Sequence, residues 1–196
     1  MASRLIESNA HSTLKGPSAD RGRCGAIVLG IDPGTECTGY AVLRQSGPGL
    51  SEAGLIRTRR GGAFSRRLME LHEGLEEVLR RHRPDLVAVE DLYAHYRHPR
   101  TAIKMGHARG VVLLAAAQCG VEVISIPATT IKKTLTGNGH ASKVQMQRAI
   151  QATFGLGGPP PSADVADAIA AAWCAVLQRS GRRGSVAAMP AGSEMT

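Results

Sequence analysis

The chain is poor in aromatic residues, which make up 3% of its 196 positions as one Trp, three Tyr and two Phe. Its four cysteines, Cys24, Cys37, Cys119 and Cys174, form no CxxC pair and show no Cys/His spacing suited to zinc. That excludes a zinc ribbon or a disulfide scaffold and leaves small apolar fillers in a reducing, cytoplasmic setting. No apolar run reaches the roughly 18 to 20 residues of a membrane span. The longest, 110–117 and 165–177, are short or broken by Asp167, so no membrane partner is expected. Residues 1–25 lack the apolar centre of a secretory signal and match a transit peptide poorly. They are expected to be an unstructured extension, or the product of a start codon assigned too early.

What is present is a globular composition, 43% hydrophobic and 20% charged, which excludes a disordered tail protein and a collagen. The length suits one large domain, expected over 26–178, with a disordered tail over 179–196. Lys and Arg number 24 against 16 acids, a net charge of +8. Residues 26–177 keep an excess of four of these positive charges. A solvated basic surface accounts for this, but the balance favours a polyanionic partner.

AIVLGID at 26–32 is a continuous apolar run before Pro33 and Gly34, as expected of a strand buried on both faces. CTGYAVLR and SEAGLIR follow around the turn-rich 46–49 and read as a meander. Phe64, Leu68, Leu71, Leu75, Val78 and Leu79 step by three and four, predicting an amphipathic helix that stops before Pro84 and Asp85. LVAVE at 86–90 is a fourth strand, 99–120 a helix, and VEVISI at 121–126 a fifth strand. A short helix at 128–135 precedes the loop 136–140. Ser142 is placed to cap a helix reaching about Phe154, and Ser162 to cap a last one over 163–178. Three strands followed by alternating helix and strand predict an α/β fold, a mixed five-stranded sheet flanked by helices on both faces.

Asp32 ends the first strand and Glu90 the fourth. One such acid is ordinarily a turn-capping carboxylate, but an acid at a buried strand end needs a partner, and two from adjacent elements suggest a cation site. Asp164 and Asp167, three apart, share one face of the last helix amid almost wholly apolar neighbours. The helix dipole explains Asp164 well and Asp167 less well. Four carboxylates without a histidine or cysteine at ligand spacing suit Mg2+ or Mn2+. Metals held this way activate water and stabilise the leaving oxygen in phosphodiester hydrolysis, so a basic protein with an acidic pocket points to a nuclease.

LGIDPGTECTGYAVL, VAVEDLY, KMGHARGVVL, IKKTLTGNGHASKVQM and ADVADAIAAAW, in this order over about 26–177, resemble successive motifs of the RuvC-type Holliday junction resolvases. The resemblance implies an RNase H-like fold, a homodimer, two Mg2+ ions per subunit that Mn2+ can replace, incision of four-way DNA junctions, and a branch-migration motor as partner. It assigns the catalytic, metal-binding acids to Asp32, Glu90, Asp164 and Asp167. Asp91 is an extra acid beside Glu90 and, by strand alternation, points the other way. Lys132 and Lys143 match family lysines near the cleaved strand, Lys143 being suited to the scissile phosphate or to charge developing during cleavage. Tyr93 matches an aromatic beside the junction centre, where it would stack on an unpaired base. Tyr96, Arg97, His98 and Arg100 give the same loop a backbone-contacting surface. A solvated turn accounts for Arg57, Arg59 and Arg60. Gly106 and Gly110, with Ala102, Ala108 and Ala115 to Ala117, give one helix a small-residue side, explained by close packing on the sheet or, by the resemblance, by a dimer interface.

Two other readings compete. Asp32 to Thr35 also resembles the first phosphate loop of actin-like ATPases, but those need two such domains and a second loop. A noncatalytic DNA-binding module on the same fold would not need all four acids.

Overall fold

The computed structural model describes residues 25–45, 49–91 and 99–186. In chain order it has β1 (Ile27–Asp32), β2 (Cys37–Arg44), β3 (Gly49–Arg57), α1 (Phe64–His82), β4 (Leu86–Glu90), α2 (Pro99–Gln118), β5 (Val123–Ile126), α3 (Ala128–Thr136), α4 (Lys143–Phe154) and α5 (Ala163–Val186). The strands form one sheet in the order β3-β2-β1-β4-β5. The first three pair antiparallel as the expected meander, and β4 and β5 join parallel.

Alternation along the strands divides the core in two. Val28, Ala41, Leu55, Leu86 and Ala88 face α5, α3 and α4. Leu29, Ile31, Val42, Val87 and Val89 face α1 and α2. On α1 the predicted stripe is the buried one, Leu71, Leu75, Val78 and Leu79. The helix is capped by Arg83, which takes a left-handed conformation with its amide donating to the Leu79 carbonyl, and Pro84 prevents the helix from continuing. Ser142 caps α4 in a reciprocal box with Gln145, and the Ser162 hydroxyl accepts from the Val165 amide at the start of α5.

Four boundaries differ from expectation by two residues or more, the first being α2, which ends at Gln118. β3 begins two residues earlier, at Gly49, and β5 is only Val123–Ile126. The last helix continues to Val186, eight residues past its expected end at 178. Ser180, Gly181 and Gly184 are weak helix formers, but a turn added to an existing helix avoids the nucleation cost. The expected extension (1–24), most of the 46–49 turn, and 187–196 lie outside the described residues. Among the described residues no helix is long and apolar enough to cross a membrane.

Candidate active site

Strand direction gathers the chemistry at one end of the sheet. β1 and β4 run parallel with Ile31 opposite Val89, so their last residues, Asp32 and Glu90, end neighbouring strands. Asp32 is also opposite Gly39 at the beginning of antiparallel β2. Alternation from Val28 and from Leu86 and Ala88 puts both acids on the α5 face.

α5 lies directly on that face because two strand positions have no side chain. A Cβ on Gly39 would overlap the Asp164 carbonyl oxygen, and one on Gly30 would overlap that of Ala168. The alanines of α5, Ala166, Ala168, Ala170, Ala171 and Ala172, are buried and add little bulk. The helix therefore starts beside the ends of β1 and β2 and delivers Asp164 and Asp167 to Asp32.

The electrostatics record this convergence. Asp32 is pushed up to about 8 by burial and then by the charges of Asp167, Asp164 and Glu90, with Lys143 opposing. Burial, then Asp167, also raises Glu90, and Lys132 opposes. Asp167 is raised by burial and by Asp164 against the pull of Lys143 and Lys132. Both lysines singled out in the sequence, Lys132 on α3 and Lys143 as the first residue of α4, thus act on the charges of the acids, although among the described residues neither forms an ion pair with them. Between them the loop is closed by local bonds: Thr136 Oγ1 accepts from the Asn138 amide at 3.1 Å, and Asn138 Oδ1 from the His140 amide at 2.9 Å.

A hard divalent cation fits this donor set. Its ligands would be the carboxylate oxygens of Asp32, Glu90, Asp164 and Asp167, whose mutual repulsion and burial a cation offsets. Among the described residues no group of three or more acid, histidine or cysteine side chains stands close enough together to hold a metal ion as placed, so the fit rests on the chemistry of the donors. Cys37, the sulfur beside Asp164, is held as a thiol, because burial and then Asp164 raise it more than Arg57 lowers it. It is thus a poor competitor for the metal.

Of the remaining sequence-derived positions, Arg100 is exposed in the first turn of α2. Tyr93, Tyr96, Arg97 and His98 lie outside the described residues. Asp91 is turned from the acids as alternation requires and lies 4.0 Å from Arg109 of α2. Arg109 also bonds Ser125 of β5, so it bridges the ends of β4 and β5 from the opposite face. Sequence reasoning missed Arg109, and it missed Gly30 and Gly39, although a glycine inside a strand signals close backbone approach. It also missed Thr38, fully buried, whose hydroxyl donates to the Gly34 carbonyl at 2.7 Å and accepts the Gly34 amide at 3.1 Å. These bonds fix the turn that follows Asp32. On α2, Ala108, Ala115 and Ala116 pack on the sheet, whereas a Cβ on Gly106 or Gly110 would meet nothing within 4 Å. The small-residue side is thus two sides, one of them outward.

A mixed sheet with acids at neighbouring strand ends, met by acids from a helix laid across it, defines an RNase H-like nuclease. Residues 28–175 match the family model described as crossover junction endodeoxyribonuclease RuvC. A Rhodopirellula baltica protein of the same description is 52% identical over 151 residues, 76% of this chain and 85% of the relative. The chain belongs to the RuvC family of crossover junction endodeoxyribonucleases. The Thermus thermophilus RuvC structure in complex with Holliday junction substrate has a TM-score of 0.73 at 34% identity, covering 80% of this chain and 96% of that one. The yeast mitochondrial Holliday junction resolvase, at TM-score 0.56 and 11% identity over 83% and 86% of the two chains, shares the fold.

Proposed function

We propose that this endonuclease resolves four-way DNA junctions during recombination and repair, by paired symmetric cuts made by a homodimer with two Mg2+ ions in each subunit. The observation that carries this reading is the convergence of Asp32, Glu90 and Asp167, with Asp164, between Lys132 and Lys143 at one end of the sheet. Bound there, the ions would supply a water nucleophile at neutral pH and stabilisation for the leaving oxygen, and Mn2+ would serve in place of Mg2+. The four carboxylates would hold the ions. Lys143 faces Asp32 and Asp167 and offsets charge that builds on the phosphate, while Lys132 does the same from the Glu90 side. Thr38 and the turn it closes keep Asp32 aligned.

Tyr93, Arg97 and Arg100 belong to the surface we assign to the junction centre and its backbones. Support for the dimer comes from α2, whose outward side presents Ile103, Leu113 and Leu114, exposed, beside Gly106 and Gly110. An apolar stripe of that kind is what a second copy covers. Family membership supports a branch-migration motor as a further partner and the cytoplasm as location.

The test is nicking of a synthetic four-way junction and of a linear duplex in Mg2+. Cuts at symmetric positions on two opposing strands, with the duplex spared, are expected. Junction binding without cutting would favour a noncatalytic module, and ATP hydrolysis without junction binding the phosphate-loop reading of Asp32 to Thr35.

A further inference from the structure

We propose that Arg57, with Arg59 and Arg60 of the turn after it, forms a second phosphate-binding site on the face that carries the acids, gripping the strand to be cut about two to three phosphates from the cut. The proposal rests on the nuclease reading above and adds a surface to it.

Placement is the first reason. β3 ends at Arg57, opposite Cys37 at the beginning of β2, while Asp32 is opposite Gly39. All of these positions are at the same end of the sheet. Leu55 packs in the α5-side core and Ile56 in the other, so alternation returns Arg57 to the side of Asp32 and Glu90. Two strand spacings across and two residues along put the Cα atoms of Arg57 and Asp32 about 12 Å apart. With about 3.4 Å of helix axis per phosphate on one strand, a backbone seated on the acids reaches Arg57 within a few nucleotides.

The second reason is that the turn is fastened to the catalytic turn and not merely near it. Thr58, buried between two exposed arginines, donates from its hydroxyl to the Thr35 carbonyl at 2.8 Å and from its amide to the Glu36 carbonyl at 3.1 Å. Thr35 and Glu36 belong to the segment joining Asp32 to β2. Any phosphate held by the turn is therefore held in register with Asp32. A solvated turn needs no such fastening.

Charge is the third. Arg57, Arg59 and Arg60 are all exposed. Arg59 spans 3.7 Å to Glu70 with most of its own side chain in water, a pairing worth little, and Glu36 is taken by Arg67 at 3.3 Å. Among the described residues no ion pair engages Arg57 or Arg60.

The full chain carrying R57Q, R59Q and R60Q tests this beside wild type and a charge-matched R44Q, R80Q, R179Q variant, whose arginines lie toward the other end of the sheet. Junction affinity is measured against salt in EDTA, with far-UV circular dichroism and melting as folding controls. The site predicts a salt slope lower by about two to three and affinity lower on the order of 10²-fold near 0.1 M salt for the first variant only. Methylphosphonates two and three positions from the cut should weaken wild type and cost the first variant nothing further. An unchanged slope in a folded variant overturns the proposal, as does equal loss in both variants, which would make net charge the cause. A loss of Mg2+ affinity with the slope unchanged also overturns it, making Arg57 an internal counter-charge to the acids. If wild type itself neither binds nor cuts a junction, the nuclease reading fails first, and that arm of the experiment shows it.

Discussion

Replacing Asp32 with Asn should stabilise the metal-free protein while abolishing its activity. The Asp32 carboxyl moves from 3.8 to about 8 on folding. A raised acid pKa means that the folded chain keeps a proton the unfolded chain releases. The resulting penalty on the folded state is absent below about 3.8, grows as pH rises, and is complete above about 8. At pH 7 roughly three units separate solution from the unfolded value, and at about 1.4 kcal/mol per unit the ceiling is about 4 kcal/mol. Asp32 keeps some contact with solvent, so solvent screening brings the expected gain from Asp32→Asn to about 1 to 3 kcal/mol, or several degrees in Tm. The assay is thermal melting of both proteins in EDTA from pH 4.5 to 8.5, repeated in saturating Mg2+, beside nicking of a four-way junction. The gap should open with pH and close in Mg2+, which binds the wild-type site and stabilises it by linkage. Nicking should fall at least about 10²-fold, and binding in EDTA should hold or tighten as one repulsive charge is lost. If Asp32→Asn melts at or below wild type at pH 8 in EDTA, the acids are not crowded as described. If it still nicks at near the wild-type rate, Asp32 is a turn cap and the metal site is misplaced.

Lys143→Ala should lower the single-turnover cleavage rate of bound junction at least about tenfold while changing affinity only a few-fold, because one phosphate contact among many carries little binding. Several-fold weaker binding with normal cutting of the bound junction would refute that role. Gly39→Ala forces a methyl against the Asp164 carbonyl; it should cost about 1 to 3 kcal/mol in denaturant melts and depress nicking even at temperatures where the variant is folded. Leu114→Asn, on the outward side of α2, should leave Tm within a few degrees but shift sedimentation toward monomer and uncouple the two nicks. Paired cuts by a species that stays monomeric on the junction would rule out the dimer.

Much of this fold is legible because its signals are local. The continuous apolar run before Pro33, the 3–4 stepping from Phe64 to Leu79 and the serines at 142 and 162 each specify an element from a few neighbouring residues. The acids were legible for another reason: charge at the end of an apolar run is expensive, and Asp167 has no ordinary explanation among alanines and valines. Gly30 and Gly39 were harder, since what they accommodate arrives from more than 120 residues away. Arg109 was hidden similarly, because its partners Asp91 and Ser125 meet it only once β4, β5 and α2 are assembled. The end of α5 was misjudged because Gly181 reads as a stop in isolation, whereas a helix already anchored on the sheet can run through it.

α5 meets Gly39 main chain against main chain, and meets Gly30 through the Ala168 carbonyl and the Ala172 main chain and Cβ, and that determines what inheritance can alter in this enzyme. Repacking Val165 or Ile169 with other apolar residues changes filler, while the gauge between helix and sheet stays fixed by atoms common to every amino acid. The hydrophobic interior is thereby free to drift in sequence without moving the acids. A change of metal preference that required a wider or narrower site could not be reached by small steps through the core. It would have to begin at one of those two glycines or at Ala172 facing Gly30, where the smallest available step is already a collision.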